Sequence, residues 1–172
     1  MPDNFFIYQQ QKLAGKKLYR KLWGFLAVDA ALLPLALGVY FFWLGNSQVV
    51  IKAVVAAVFA RYVVSPLIFL LYKKERPYQA LKFTLSRTGL FSRVVERHNS
   101  FPSDHAVGLM AMSTVTFLYF PLWGALLFVL TVLNGIGRVI LGYHYPVDVA
   151  AGWLLGFIFG VLTVYFFALP VS

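Results

Sequence analysis

The chain has 172 residues, of which 60% are hydrophobic and 12% are charged, and its mean hydropathy is +0.76. An ordinary soluble domain is roughly 45–50% apolar and about 25% charged, so the composition excludes a soluble fold and predicts an integral membrane protein. Cysteine is absent, which excludes disulfides, thiolate metal sites and a thiol nucleophile. The net charge is +9, and the basic residues that produce it lie beside apolar segments. This placement favours anionic lipid headgroups or a phosphorylated substrate over nucleic acid as partners.

The N-terminal residues 1–22 interleave aromatic and aliphatic side chains with basic ones, in the stretch MPDNFFIYQQQKLAGKKLYRKL. No uninterrupted apolar run follows a short basic start, so the segment is not predicted to be a signal peptide. The pattern predicts an amphipathic helix that lies at the membrane interface. A disordered basic tail is the alternative.

Apolar segments near the ~20 residues needed to cross a bilayer follow this N-terminal stretch. Lipid permits only helices or closed barrels, and the runs are too long and continuous for barrel strands. The sequence therefore predicts a single-domain, all-α polytopic membrane helix bundle over residues 1–172. Its five spans are predicted at 23–44, 49–72, 106–120, 123–141 and 147–169. Asp29 and Arg61 fall inside the first two spans, where a charge is costly and usually paired, so an ion pair between them is a further hypothesis.

Residues 73–102 form the longest polar connection and hold seven of the fifteen Lys and Arg residues. Long connections of this kind are often functional, and we interpret this one as an active-site loop. Alternating spans place it at the same membrane face as the start of the third span and the turn between the fourth and fifth. Three polar stretches are thereby predicted to meet there: KKERP (73–77), PSDH (102–105) and GRVILGYHYPVD (137–148).

The PSDH stretch has a structural and a functional interpretation. Ser103 suits a helix N-cap and Asp104 suits the first helical turn. Capping does not require His105, whereas a helix N-terminus with a hydroxyl and an imidazole forms a phosphate cradle with a proton donor.

Arg138, His144 and Asp148 follow the spacing Arg-x5-His-x3-Asp. Pro146 suits the first position of a helix, which puts Asp148 in its first turn, near His144. A carboxylate that accepts the proton of one ring nitrogen fixes the tautomer and leaves the other nitrogen free to attack. An interfacial histidine with a capping aspartate is the alternative.

Arg76 belongs to a basic cluster that the positive-inside rule explains equally well. Combined with the other two stretches, it adds a guanidinium that can hold two phosphate oxygens at once. The three stretches together predict a phosphoryl-transfer site. No carboxylate cluster suited to Mg²⁺ is evident in the sequence, so a metal-free mechanism through a phosphohistidine, without a cofactor, is predicted.

These stretches resemble the motifs of the type 2 phosphatidic acid phosphatase superfamily, membrane lipid phosphatases that share a site with vanadium haloperoxidases. The family pattern is Lys-x6-Arg-Pro, then Pro-Ser-Gly-His, then Ser-Arg-x5-His-x3-Asp. Arg76-Pro77 matches the end of the first motif, and residues 102–105 match the second with Asp104 in place of Gly. Residues 137–148 match the third with Gly137 in place of Ser.

The resemblance, which covers roughly residues 70–160, implies roles for the matching side chains. His144 would be the nucleophile, Asp148 its orienting partner, and His105 the acid that protonates the leaving oxygen. The phosphate would be held by the remaining polar groups of the motifs, namely Arg76, Arg138, Ser103 and main-chain N–H groups near Asp104.

Two departures from the family pattern bear on substrate binding. Phe69 occupies the position of the first-motif lysine, so Lys73 or Lys74 is the candidate replacement. Asp104 resembles the bacterial branch that hydrolyses undecaprenyl diphosphate, where it would hydrogen-bond a diphosphate or shift the pKa of His105.

The resemblance favours a lipid phosphatase acting on undecaprenyl diphosphate, with lipid A 1-phosphate and phosphatidylglycerophosphate close behind. A small anion or lipid transporter and a non-catalytic lipid-binding protein are the alternatives. The protein is expected in the cell (inner or plasma) membrane. The positive-inside rule would turn the site toward the cytoplasm, but the resemblance to bacterial relatives favours the periplasm or exterior.

Overall fold

The computed structural model describes residues 2–28, 32–82 and 99–167, and all regular structure in these ranges is helical. A π-helical turn, Ala60–Val64, interrupts the α-helical stretch Ser47–Leu71. The α-helices are, in chain order, α1 Pro2–Gly15, α2 Lys17–Ala27, α3 Leu32–Trp43, α4 Ser47–Phe59, α5 Ser65–Leu71, α6 Pro77–Ala80, α7 Asp104–Tyr119, α8 Pro121–Ile140 and α9 Pro146–Phe166. The prediction of an all-α membrane bundle is confirmed.

Within the described ranges, three helical stretches are long and apolar enough to cross a membrane: Ser47–Leu71, Pro121–Ile140 and Pro146–Phe166. The helices α2 and α3, bent by 44°, would form a fourth if the pair is one broken span. The 16 residues of α7 cover only about 24 Å at ~1.5 Å per residue, and most of them are buried among the other helices. The chain is a multi-pass membrane protein, and the count of five spans stays a prediction.

The N-terminal region differs from the sequence-based expectation in its helix boundaries. The predicted interfacial helix is divided at Lys16, whose backbone is extended (φ −125°, ψ 94°), next to Gly15, a poor helix former. The predicted first span is likewise interrupted after Ala27. Asp29 lies outside the described residues, and so does the hypothesis that it pairs with Arg61.

A row of glycines on α9 lets this helix pack closely against α7. A Cβ atom on Gly152 would lie 2.8 Å from the carbonyl oxygen of Ser103, and one on Gly156 would lie 2.3 Å from that of Val107. A third, on Gly160, would lie 2.7 Å from a side-chain carbon of α7. Small residues at this spacing let helix backbones approach closely. The parallel helices α7 and α9 therefore begin side by side, which brings the second and third motif stretches together.

Candidate active site

Polar side chains from the three motif stretches are buried together at the N-terminal ends of α7 and α9. His105 is half-buried, and Lys73 is exposed. The nearly inaccessible side chains are Arg76, Ser100, Ser103, Asp104, Arg138, His144 and Asp148. A main-chain hydrogen bond of 3.0 Å, from the Ser103 nitrogen to the Asp148 oxygen, joins the two helix starts directly. The structure thus brings together the stretches that the sequence analysis singled out.

The Asp148 carboxylate is held by three donors. Lys74 Nζ donates to Oδ1 at 2.6 Å, Ser100 Oγ donates to Oδ2 at 2.5 Å, and the main-chain nitrogen of Tyr145 donates to Oδ2 at 3.0 Å. The ammonium group of Lys74 also lies 4.5 Å from the centroid of the Tyr145 ring. Of the two lysines considered for the missing first-motif lysine, Lys74 enters the cluster.

His144 is oriented by a main-chain carbonyl. Its Nδ1 lies 2.8 Å from the oxygen of Ser100, and because a carbonyl only accepts, Nδ1 carries the hydrogen and Nε2 keeps its lone pair. Nε2 is buried and makes no hydrogen bond within the described residues. The expected direct contact from Asp148 to His144 is therefore wrong: Asp148 bonds to the hydroxyl of Ser100, and Ser100 links the two side chains.

Burial lowers the pKa of His144 well below its usual value of 6.5. The positive charges of Arg138 and Arg76 lower this pKa further, and the hydrogen bond to Ser100 opposes the shift. Desolvation and nearby cations both penalise a charged imidazole. The ring is consequently neutral at pH 7, as a nitrogen nucleophile must be.

Asn99 and Ser100 are site residues to which the sequence analysis gave no role. Asn99 Oδ1 accepts a hydrogen bond from the Lys74 nitrogen at 2.8 Å, and its Nδ2 donates to the Tyr72 oxygen at 2.8 Å. The Ser100 nitrogen donates to the Lys74 oxygen, also at 2.8 Å. These bonds fasten the end of the 73–102 connection to its beginning. The only sequence signal was that both polar residues lie just before the PSDH stretch, separated from it by Phe101.

The two arginines come from different parts of the chain: Arg76 directly precedes α6 and Arg138 lies near the end of α8. Arg138 Nη1 donates to the Ala27 oxygen at 3.0 Å, so one edge of its guanidinium satisfies a carbonyl at the C-terminus of α2. The main-chain nitrogen of Arg76 donates to Gln79 Oε1 at 3.1 Å. Its side-chain Nε and Nη1 are buried and make no hydrogen bond within the described part of the chain, and the same holds for Ser103 Oγ. Buried donors without partners each cost about 1–3 kcal/mol, which an oxyanion would offset.

His105 lies beside a charged side chain that the sequence did not connect with it. It lines a cavity of about 180 Å³ together with Arg61 and Gly108, and Arg61 acts on it electrostatically, as Arg138 and Arg76 do. From the sequence, Arg61 is expected only as a partner for Asp29.

No group of three or more His, Asp or Glu side chains with metal-ligand geometry occurs within residues 2–28, 32–82 and 99–167. The metal-free mechanism stays a prediction, because only activity in the presence of a chelator tests it.

Comparison with known proteins places this site in a family. The profile of the PAP2 superfamily matches residues 30–170. A bacitracin transport permease protein, BcrC, from Bacillus licheniformis is 36% identical over 71% of this chain and 59% of that protein. The undecaprenyl-diphosphatase BcrC of Bacillus subtilis is 32% identical over 78% of this chain and 68% of its own length. The matched region thus spans about three-fifths of the first relative and two-thirds of the second.

More distant similarity reaches other lipid phosphatases. The lipid A 1-phosphatase of Rhizobium johnstonii is 38% identical over 40% of this chain and 28% of that protein. The crystal structure of a transmembrane PAP2-type phosphatidylglycerolphosphate phosphatase from Bacillus subtilis aligns over 96% of this chain and 94% of its own. Its identity is 21% and its TM-score 0.35, too low to establish a shared fold. The family profile and the Bacillus subtilis relative decide the assignment: the chain belongs to the PAP2 superfamily.

Proposed function

We propose that the protein is a metal-independent membrane lipid phosphatase whose favoured substrate is undecaprenyl diphosphate. The observation that carries the proposal is the hydrogen bond from His144 Nδ1 to the Ser100 carbonyl, which aims an unprotonated Nε2 into a buried cationic cluster. The Bacillus subtilis relative is named an undecaprenyl-diphosphatase, which supports this substrate. Lipid A 1-phosphate and phosphatidylglycerophosphate rank behind it.

In the first step, His144 Nε2 attacks the terminal phosphorus of the substrate. A nitrogen–phosphorus bond forms, the bond from phosphorus to the leaving oxygen breaks, and His105 gives its proton to that oxygen. The lipid product departs and a phosphohistidine remains.

In the second step, a water molecule attacks the same phosphorus. His105, now neutral, takes a proton from the water, the nitrogen–phosphorus bond breaks, and inorganic phosphate is released. His144 returns to its neutral form and His105 to its protonated form, so one water is consumed per turnover.

The cationic groups stabilise the charge that develops on the transferring phosphoryl group. We assign Arg76, Arg138 and Ser103 to its equatorial oxygens, together with main-chain N–H groups at the start of α7 near Asp104. Lys74 acts indirectly, by holding Asp148 and through it the Ser100 segment that orients His144. Lys73, which is exposed, is assigned to the edge of the site and not to the transferring phosphoryl group.

The whole chain is proposed to act as one phosphatase domain in the cell membrane, with its site facing the periplasm or exterior. The basic residues around the site would, by the positive-inside rule, place the site on the cytoplasmic side instead. Labelling of a cysteine introduced at exposed Lys73 by a membrane-impermeant thiol reagent, in intact cells, tests the orientation. Protection of that cysteine until the cells are lysed would place the site in the cytoplasm.

The function is tested by phosphate release from undecaprenyl diphosphate, lipid A 1-phosphate and phosphatidylglycerophosphate by purified protein in detergent with EDTA. We expect release by the wild type and by Tyr165→Ala, which alters an exposed residue at the far end of α9. His144→Ala should lose turnover by at least about a thousandfold, as expected when a nucleophile is removed. No release from any lipid by folded wild-type protein would overturn the proposal.

Transport is the second candidate, because the Bacillus licheniformis relative is named a transport permease protein. A transporter would keep its activity in His144→Ala, since translocation requires no nucleophile. Movement of labelled bacitracin or lipid across proteoliposomes by that variant, without phosphate release, would favour transport.

A further inference from the structure

Arg61 is a charged residue deep in a membrane-spanning segment. It lies within Ser47–Leu71, ten positions before the end of that stretch, which is about 15 Å at ~1.5 Å per residue. A charge inside a span is costly and usually marks a functional site. Arg61 also belongs to the π-helical turn Ala60–Val64, and such turns often occur at functional sites.

The position of Arg61 relates it to the proposed acid of the reaction. Arg61 and His105 line the same cavity of about 180 Å³ between the second span and α7. Gly108, one turn beyond His105, packs against the arginine: a Cβ atom there would meet Arg61 Cδ at an ordinary contact distance of 3.7 Å. Val58 and Tyr62 form part of the wall and are exposed, so the cavity opens on the outer surface of the bundle.

The order of groups along the proposed reaction path gives this cavity a ligand. The phosphoryl group to be transferred is held near His144 by Arg76 and Arg138. His105 protonates the leaving oxygen, so whatever bears that oxygen lies on the His105 side of the site. In a lipid diphosphate, the group bearing it is the second phosphate.

We propose that Arg61 binds the second, lipid-attached phosphate of a diphosphate substrate and makes the site selective for lipid diphosphates over lipid monophosphates. The inference rests on the proposed function and names the substrate class of the same site. When the bridging oxygen separates from the transferred phosphorus and takes the proton of His105, it becomes a terminal oxygen of a lipid monophosphate. Arg61 stabilises the negative charge that stays on this product.

A structural role predicts a different pattern of effects. The guanidinium carbon of Arg61 lies 5.3 Å from the centroid of the Tyr62 ring, a contact that stabilises an arginine in an apolar setting regardless of substrate. A residue that only supports the helix would affect diphosphate and monophosphate hydrolysis equally. A residue that contacts the second phosphate affects only the diphosphate.

The test compares farnesyl diphosphate with farnesyl monophosphate, which share a lipid tail and differ by the second phosphate. Arg61→Gln should lower kcat/KM for the diphosphate by about ten- to a hundredfold, the effect of losing a hydrogen bond to a charged group. The value for the monophosphate should stay within about threefold. Arg61→Lys should restore part of the diphosphate activity, and farnesyl monophosphate should inhibit Arg61→Gln more weakly than it inhibits the wild type.

Lys52→Gln is the matched control, because Lys52 lies in the same span near its other end, where its Nζ donates to Tyr119 Oη at 2.8 Å. It should leave the ratio of diphosphate to monophosphate activity unchanged. Equal losses on both substrates in Arg61→Gln and Arg61→Lys, or no loss on either, would overturn the inference while leaving the phosphatase intact. Failure of the wild type to release phosphate from both lipids would overturn the proposed function itself.

Discussion

Lys74 and Asp148, 74 residues apart in the chain, form an ion pair of 2.6 Å in which the carboxylate side chain is fully buried and the lysine is 23% exposed. The pair joins the connection that follows the second span to the first turn of α9. Because Asp148 also accepts the hydroxyl hydrogen of Ser100, the same carboxylate fixes the segment whose carbonyl orients His144. One ion pair thereby connects the first and third motif stretches with the segment that precedes the second.

Replacing Lys74 with Met should destabilise the protein and reduce activity more than replacing its exposed neighbour. Removing one partner of a buried ion pair leaves a charge without compensation and costs about 3–5 kcal/mol. Thermal unfolding in detergent and kcat/KM measure the two effects, with Lys73→Met as the matched control. If Lys73→Met had the larger effect, Lys73 and not Lys74 would supply the missing motif lysine.

The pH dependence of activity should reflect the lowered pKa of His144. A neutral ring is required for attack, so protonation of His144 should not reduce kcat/KM as the pH falls through 6.5, the usual histidine value. It should decline only at lower pH, where Nε2 becomes protonated. The charge of Lys74 is among the causes of the lowered pKa, so in Lys74→Met the acid limb should move to higher pH. A wild-type limb centred above 6.5 would contradict the assignment.

Much of the fold could be predicted from the sequence because hydropathy acts over whole segments. The apolar runs at 49–72, 123–141 and 147–169 correspond to helices within one or two residues at their starts. The break after Ala27 was not predicted, because mean hydropathy does not register a local change of backbone direction. The division at Lys16 was missed for the same reason, although Gly15 beside it was a visible signal.

The site was predictable where it depends on side chains and not where it depends on main-chain groups. His144 and Asp148 could be predicted from their spacing because an imidazole and a carboxylate are side chains with catalytic chemistry. The Ser100 carbonyl, which orients His144, is a group that every residue has, so no sequence pattern distinguishes it. The place of Arg61 beside His105 depends on how two helices pack, which hydropathy does not specify.

The close contact between α7 and α9 should make Gly156 intolerant of a side chain. A Cβ atom at this position would lie 2.3 Å from the Val107 oxygen, so Gly156→Ala should cost about 1–3 kcal/mol through overpacking. Gly38→Ala is the control, because a Cβ there would meet Val50 at an ordinary 3.8 Å. Both positions are helical, so replacing glycine with alanine gains about 1 kcal/mol in helix propensity at each of them. Thermal unfolding should therefore separate the two variants, and equal stability would contradict the packing.

The N-terminal helix α1 packs on the segment that carries His144. Phe6 is 1% exposed, and its ring meets that of Tyr145 edge-on at a centroid distance of 5.6 Å. Farther along α1, Leu13 packs in a buried cluster with Leu141 and Tyr143. His144 is therefore held by its hydrogen bond to Ser100 and by the α1 contacts with its sequence neighbours.

Phe6→Ala should loosen this segment, because truncating a fully buried Phe costs about 3–5 kcal/mol. Hydrogen exchange at residues 141–145 should rise and kcat should fall, since a displaced imidazole no longer points Nε2 at phosphorus. The adjacent Phe5, which is 41% exposed, provides the control: Phe5→Ala removes the same side chain and should leave both measurements near the wild-type values. Unchanged exchange at 141–145 in Phe6→Ala would show that Ser100 alone is sufficient to hold His144 in place.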